Sequence, residues 1–193
     1  VAPLKIGLTG GIAAGKSEAL KAFARLGAAT LSSDAVVHEL LESEPLRGRL
    51  AERWGPEVIA RGGLNRAKIG EIVFADPEEL GWLEEQIHPL VQEKTAAWLL
   101  SLPADTEVAV VEVPLLFEAG SDRVFDTTVA VVTGDEVRRE RAAARGHTLV
   151  DEREARQLTQ VEKAERAEHV VGNDGSVEDL ERALSALLAK LRR

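Results

Sequence analysis

Residues 10–17 read GGIAAGKS, and Gly10, Gly15, Lys16 and Ser17 fit the spacing G-x-x-x-x-G-K-[ST] with nothing forced. Each residue type answers a need of phosphate binding. Glycines let the backbone turn tightly so that successive N–H groups point inward, and a helix starting at Lys16 adds its positive end. In such a loop Lys16 reaches the β- and γ-phosphates of a nucleotide, and the Ser17 hydroxyl is placed to ligate Mg2+. Gly11, Ile12, Ala13, Ala14 and Glu18 supply the rest of the backbone around the phosphates. An ordinary glycine-rich turn is the competing reading. The context favours phosphate: an apolar run, Leu4–Leu8, comes before, and a helical period, Ala19, Leu20, Phe23 and Leu26, comes after.

Three further sets of residues are chemically capable. In ATLSSDAVVHEL, Asp34 lies just past an apolar strand, on the side of an open α/β sheet where ligands bind. A carboxylate there can take the proton of an attacking hydroxyl, or it can simply cap a helix beginning at Ala35. Position alone leaves both readings open. In VAVVEVPLLFEAG, Glu112 ends an all-apolar strand as the acidic residue of a second nucleotide motif does, holding Mg2+; Glu118 follows it. For each, a solvated loop carboxylate is an equal alternative. In DEVRRERAAARG, Arg138, Arg141 and Arg145 recur at helical spacings of three and four and share one face, fit to neutralise charge during phosphoryl transfer. A mixed-charge exposed helix is the bland reading. His88-Pro89 predicts an imidazole where a long helix is interrupted or restarted, because proline disfavours helical geometry in the residue before it. No cysteine is present and no histidine sits at metal-ligand spacing, which excludes a zinc site. His38, His147 and His169 belong to no legible motif. Trp54, Trp82 and Trp98 read as packing residues.

The elements that must position these residues alternate. Strands are predicted at Leu4–Thr9, Ala28–Ser32, Val108–Val113, Thr127–Val132 and His169–Val171, with helical segments between them. That order predicts an α/β fold, a mainly parallel five-stranded sheet with helices on both faces. Between the second and third strands the chain is much longer than one crossover needs. Its helix formers, Val36–Leu41, Leu46–Trp54, Arg66–Phe74 and Pro77–Leu100, predict a helical insertion able to hold a second substrate. A shorter segment from Asp135 to about Glu165 reads as two charged helices joined at Gly146-His147-Thr148, a lid. The expected organisation is a nucleotide core of residues 1–34, 101–135 and 166–193, an acceptor domain of 35–100 and a lid of 136–165. No repeat or low-complexity tract interrupts it.

Composition agrees without selecting. The chain has 193 residues, 45% of them hydrophobic, enough for a sizeable core. Lack of cysteine suits a reducing cytoplasm, and no signal sequence or spanning apolar segment is seen. A net charge of −9 speaks against nucleic-acid binding, so a polyanion must meet a local positive site. A cytoplasmic monomer with no nucleic-acid or membrane partner is expected.

Taken together, these stretches resemble the dephospho-coenzyme A kinase family nearly end to end. The resemblance rests on IGLTGGIAAGKS, the aspartate closing the second strand, GLNRAKIGEIVF, IHPLV, PLLFEAG, FDTTVAV, the lid arginines with Gln160, and HVVGNDG. It implies a P-loop NTPase fold and transfer of the γ-phosphate of MgATP to the ribose 3′-hydroxyl of dephospho-coenzyme A. It also implies Asp34 as the base, Thr9 near the transferred phosphate, and Arg141 and Arg145 as lid arginines. Arg66, His88, Pro89 and Leu115 fall on its acceptor side, and Asn173 and Gly175 on the loop passing the adenine. Three positions depart from the family pattern. Ser32 stands where a first carboxylate is frequent, a loss that Glu112 is expected to cover at the metal, and Ala14 and Glu18 stand where Ser and Thr are usual. Two other classes remain: a kinase for another small acceptor such as a nucleoside monophosphate, and a nucleotide-gated binding module. The HP and PLLFE motifs argue against the first. The absence of a guanine-reading Asn-Lys-x-Asp, with Asp34 beside an acceptor, argues against the second.

Overall fold

The computed structural model describes residues 2–61, 63–144 and 157–192. In chain order the elements are β1 (Leu4–Gly10), α1 (Lys16–Arg25), β2 (Ala29–Ser32), α2 (Ser33–Leu41), α3 (Glu44–Trp54), β3 (Ile59–Ala60), β4 (Gly63–Leu64), α4 (Arg66–Ala75) and α5 (Pro77–Ser101). They continue with β5 (Val108–Glu112), β6 (Thr127–Val132), α6 (Asp135–Ala144), α7 (Gln160–Arg166), β7 (His169–Gly172) and α8 (Val177–Leu191). Two compact units divide them: Val1–Ser32 with Leu102–Arg193, and Ser33–Ser101.

In the first unit β2, β5, β1, β6 and β7 form one sheet in that order, every pair parallel. All five predicted strands are present, shifted by no more than a residue at either end. Because the strands are parallel, Gly10, Ser32, Glu112, Val132 and Gly172 all finish on one edge. Register ties these ends together: Glu112 pairs with Leu8 on one side and Ser32 on the other, and Gly10 pairs with Val131. Side chains alternate across each strand. Ile6, Leu8, Val108, Val110, Val129 and Val131 share a buried cluster with Phe23 of α1 and Leu180, Leu184 and Leu188 of α8. Ala109, Val111 and Ala130 are buried as well, so the central strands β5 and β6 are covered on both faces and read as mostly apolar runs.

The helices begin where local chemistry favours it. Ser176 accepts the Asp179 N–H at 3.2 Å while the Asp179 carboxylate accepts the Ser176 N–H at 3.1 Å, and Thr159 and Glu162 do the same ahead of α7. The backbone N–H and then the hydroxyl of Ser176 hold the Asp179 carboxyl below its ordinary range.

In the second unit α5 packs against α2 and α4, and α2 meets α3. Leu40, Leu46, Leu50, Val58, Ile69 and Ile87 are buried. Trp54 and Trp82 meet edge to face with centroids 5.2 Å apart, and Trp54 Nε1 and the Arg53 guanidinium both bond Glu79. Two expectations are corrected here. The long helix is not interrupted at His88-Pro89: α5 runs through Pro89, which removes a single backbone donor while the turns on either side persist. A helix beginning at Ala35 and capped by Asp34 does not occur either. α2 already includes Ser33, so Asp34 lies inside the first turn, where a carboxylate suits the helix dipole. The β3–β4 hairpin was not foreseen, since two-residue strands carry no alternation to read. The expected lid falls partly on α6 and α7; Arg145 and the Gly146-His147-Thr148 junction lie outside the described residues.

Two outcomes are expected. Leu184→Ala, emptying a site with no solvent exposure, should lower unfolding free energy by about 2–5 kcal/mol in urea titration, and a loss near zero would remove Leu184 from the core. A carboxyl depressed in the folded state stabilises above its unfolded pKa and loses that contribution as pH falls through its folded pKa. Asp179→Asn should therefore lower the melting temperature at pH 7 and close the gap to wild type at strongly acid pH; equal melting temperatures at pH 7 would contradict the capping role.

Candidate active site

The phosphate loop is shaped by what surrounds its glycines. Gly10 has φ +156°, and a Cβ there would come within 2.4 Å of the Val131 carbonyl oxygen. Ala13 takes φ +60°, the left-handed region that a non-glycine residue rarely occupies, and the Ala14 N–H closes a turn on the Gly11 carbonyl at 3.2 Å. Gly15, at φ +97°, caps α1 without a side chain, and a Cβ there would lie 2.0 Å from Asn173 Nδ2. The first N–H groups of a helix find no acceptor within it, and those of α1 open toward this loop. The Lys16 ammonium bends back along the loop to the carbonyls of Gly10 and Gly11, at 3.2 and 3.0 Å. Ser17, the second residue of α1, is exposed. The Glu18 carboxylate points along the helix to Arg25 at 3.3 Å and Lys21 at 3.8 Å.

A hydrogen-bonded frame holds the loop from β6, α6 and β7. Buried Asn173 donates through Nδ2 to the Ala14 carbonyl at 2.9 Å, and its own carbonyl accepts from Arg141 at 3.0 Å and from the Thr133 hydroxyl at 3.1 Å. Asp174 takes the Gly134 N–H and the Thr133 hydroxyl, and these bonds, with Arg141 nearby, hold its carboxyl below the usual range against desolvation. Gln160 bonds the Thr133 carbonyl through Nε2 at 2.8 Å and its N–H through Oε1 at 3.0 Å. Arg138 pairs with Asp135 at 3.3 Å. A cavity of about 160 Å3 opens between the loop, at Gly11 and Ile12, and Asp135, Arg138, Leu158 and Gln160.

Beside β1, Glu112 is buried at the end of β5. Thr9, wholly buried, donates its hydroxyl to the Pro114 carbonyl at 3.3 Å. Lys163 reaches the same carbonyl and pairs with Glu118, which also accepts the Leu158 N–H at 2.9 Å. Leu115, in the turn between, is half-buried. Ser17 and Glu112 offer oxygen donors only, and no group of three His, Cys, Asp or Glu gathers among the described residues. That set suits Mg2+, which is commonly held by one or two protein oxygens together with phosphates and water.

In the second unit, Asp34 is exposed on the first turn of α2. One turn on, His38 Nδ1 faces the Asp34 carbonyl at 3.2 Å, and Arg66 bridges His38 Nε2 and Glu42. His88 and Pro89 lie exposed on α5. Gly175 precedes the Ser176 cap, where a Cβ would crowd Asp179 Oδ2 at 2.7 Å. Sequence reasoning passed over Lys163, Thr133, Asp174 and His38, because a lysine inside QVEKAER or a threonine after a strand carries no mark of burial.

A family model described as dephospho-CoA kinase matches residues 4–179. The dephospho-CoA kinase of Syntrophotalea carbinolica is 37% identical, matched over 97% of this chain and 92% of its own length. That of Deinococcus radiodurans is also 37% identical, over 98% and 93%. A crystal structure from Thermus thermophilus superposes with a TM-score of 0.83 at 36% identity, covering 99% of each chain. The dephospho-CoA kinase of Campylobacter jejuni gives 0.72 at 24% identity over 97% and 96% of the two chains, and a shikimate kinase of Bacteroides thetaiotaomicron gives 0.54 at 18% over 98% and 99%. Those two speak for the fold alone, that of a P-loop kinase. With most of its length inside the family model and relatives matched almost from end to end, the chain belongs to the dephospho-CoA kinase family and is a kinase of coenzyme A biosynthesis.

Proposed function

We propose that this chain moves the γ-phosphate of ATP to the ribose 3′-hydroxyl of dephospho-coenzyme A with Asp34 as the base. The observation that carries the reading is the phosphate loop, shaped by Gly10 and Gly15 and braced by Asn173, in a chain matched to this family from residue 4 to 179. Backbone N–H groups of the loop, with those of Lys16 and Ser17 at the α1 terminus, line the polyphosphate, with the β-phosphate toward Gly15 and the γ-phosphate toward Gly10 and Gly11. Lys16 exchanges its two carbonyl contacts for β- and γ-oxygens. Ser17 and Glu112 would hold Mg2+, which would supply positive charge against that of the phosphates. Arg141, with Arg145, adds positive charge at the transferring group. Asn173 and Gly175 border the purine.

The acceptor lies against Arg66, His88 and Pro89 of the second unit, Arg66 matching its pyrophosphate by charge. The 3′-oxygen attacks the γ-phosphorus, the bond to the β-bridging oxygen breaks, ADP leaves, and the hydroxyl proton passes to Asp34. Two features favour Asp34 for this role. Its carboxylate is exposed, and it lies two residues past Ser32, whose register with Glu112 marks the carboxyl edge of the sheet. Thr9 steadies the start of the loop through Pro114.

The test is ADP release from MgATP with dephospho-coenzyme A, AMP, CMP or no acceptor offered in parallel. Release stimulated by dephospho-coenzyme A alone is expected; a better monophosphate acceptor, or no stimulation by any acceptor, would displace the reading. Asp34→Asn should bind ATP normally and lower turnover by about 10²- to 10⁴-fold. Wild-type turnover in that variant would remove Asp34 as the base. Lys16→Ala should impair ATP use with every acceptor, visible as a raised KM for ATP together with a lowered kcat; a defect confined to the acceptor's KM would contradict its phosphate role.

A further inference from the structure

Among the described residues, Lys163 is the charged side chain with no solvent exposure at all. Its ammonium has three protons and three acceptors: the Pro114 carbonyl at 2.5 Å, Glu118 Oε1 at 3.1 Å and Gln157 Oε1 at 3.4 Å. Burial of such an ion is costly even when paired, and an uncharged side chain of similar length would fill the same space without that penalty. What the ammonium adds is a fixed Pro114 carbonyl. The other lone pair of that oxygen takes the hydroxyl of Thr9, the wholly buried residue that leads directly into Gly10.

Lys163 also shares a face of α7 with Gln160, three residues earlier. Gln160 clasps the backbone of Thr133 with both amide atoms and lies against Gly11, where a Cβ would come within 3.1 Å of Gln160 Cβ. The contacts close a ring, from Gly10 through Thr9, Pro114, Lys163 and Gln160 back to Gly11. The opposite end of the loop has its own support in Asn173, bonded to the Ala14 carbonyl.

We infer that Lys163 is a positioning residue for the γ-phosphate end of the loop: through the Pro114 carbonyl and Thr9 it sets where Gly10 stands, while Gln160, on the same helix, lies against Gly11 independently of it. The inference rests on the proposed assignment of the γ-phosphate to that end. It separates two quantities that a general loss of structure would move together. Turnover depends on the placement of the γ-phosphate, whereas ADP, which has none, depends on the end held by Asn173.

The experiment uses Lys163→Met, Thr9→Val and the double variant of the full chain, with kcat, both KM values and inhibition by ADP measured well below each variant's melting temperature. Lys163→Met should lower kcat by about tenfold or more, since reacting groups held slightly out of place lose rate steeply. Its inhibition constant for ADP should stay within about twofold of wild type, and in the Thr9→Val background its effect on kcat should shrink to about twofold or less, the mark of residues acting through one path. Unchanged kcat, multiplying effects in the double variant, or ADP binding that weakens in step with kcat would each overturn the inference. Should Lys163→Met not fold, Glu118→Gln, which loosens the ammonium without emptying its site, enters the same cycle with Thr9→Val and is judged by the same coupling. A wild-type protein with no dephospho-coenzyme A-dependent ADP release would instead overturn the underlying reading of function, independently of the cycle.

Discussion

The close approach of Asn173 to the phosphate loop is the contact on which the nucleotide half of this protein depends. Its amide nitrogen lies where a Gly15 side chain would begin, and it bonds the Ala14 carbonyl. Position 15 therefore has no room for a side chain, and a left-handed φ there turns the chain into α1 with its N–H groups facing the loop. Asn173 can reach because the parallel pairing of β6 with β7 brings Gly172 level with Val132, and the Asn173 N–H bonds the Val132 carbonyl at 2.8 Å. Sheet register, a glycine and a buried amide are thus one device. Arg141 joins it through the Asn173 carbonyl, near the Asp174 carboxylate that it helps keep ionised.

Charge placement follows a similar economy in an acidic chain. Arg25, Arg53 and Arg66 each meet glutamate: Arg25 takes Glu181 and Glu18, Arg53 takes Glu79, and Arg66 takes Glu42. Lys16 and Arg141, beside the loop, bond backbone carbonyls at the distances given above. A carbonyl orients a cation without cancelling it, and a phosphate oxygen, fully charged, competes with it on favourable terms. Locally positive character can therefore coexist with a net charge of −9.

The legible parts of this molecule are those in which one physical cause leaves a local trace. Strands covered on both faces are mostly apolar along their length, so Val108–Glu112 and Thr127–Val132 stood out. The loop was legible because backbone conformation restricts Gly10 and Gly15 directly. Other features arise from partners far along the chain. Lys163 looks like a solvated lysine until α7 is laid against the turn at Pro114, 49 residues away. Asn173 carries no local mark of its bond to Ala14, and only the parallel pairing of β6 and β7 makes it a brace for that residue. Pro89 misled for the opposite reason: its local penalty is real, but neighbouring turns of a 25-residue helix absorb the loss of one donor.

Glu18 shows how a departure from the family pattern is accommodated. A carboxylate one turn into α1 would repel polyphosphate if it leaned toward the loop. It is drawn the other way by Arg25, which sits near the far end of the same helix and is itself anchored on Glu181 of α8 at 2.6 Å. The Glu181 hydrogen bond comes first in raising the Arg25 pKa, with Glu18 adding to it. α1 and α8 already press together through Phe23, Leu180 and Leu184, so the guanidinium is carried on packed helices and its position is set by the core. A surface ion pair of this kind contributes little to stability. Its value here is directional: it turns a negative charge away from the phosphates while leaving that charge at the helix N-terminus, where the dipole favours it.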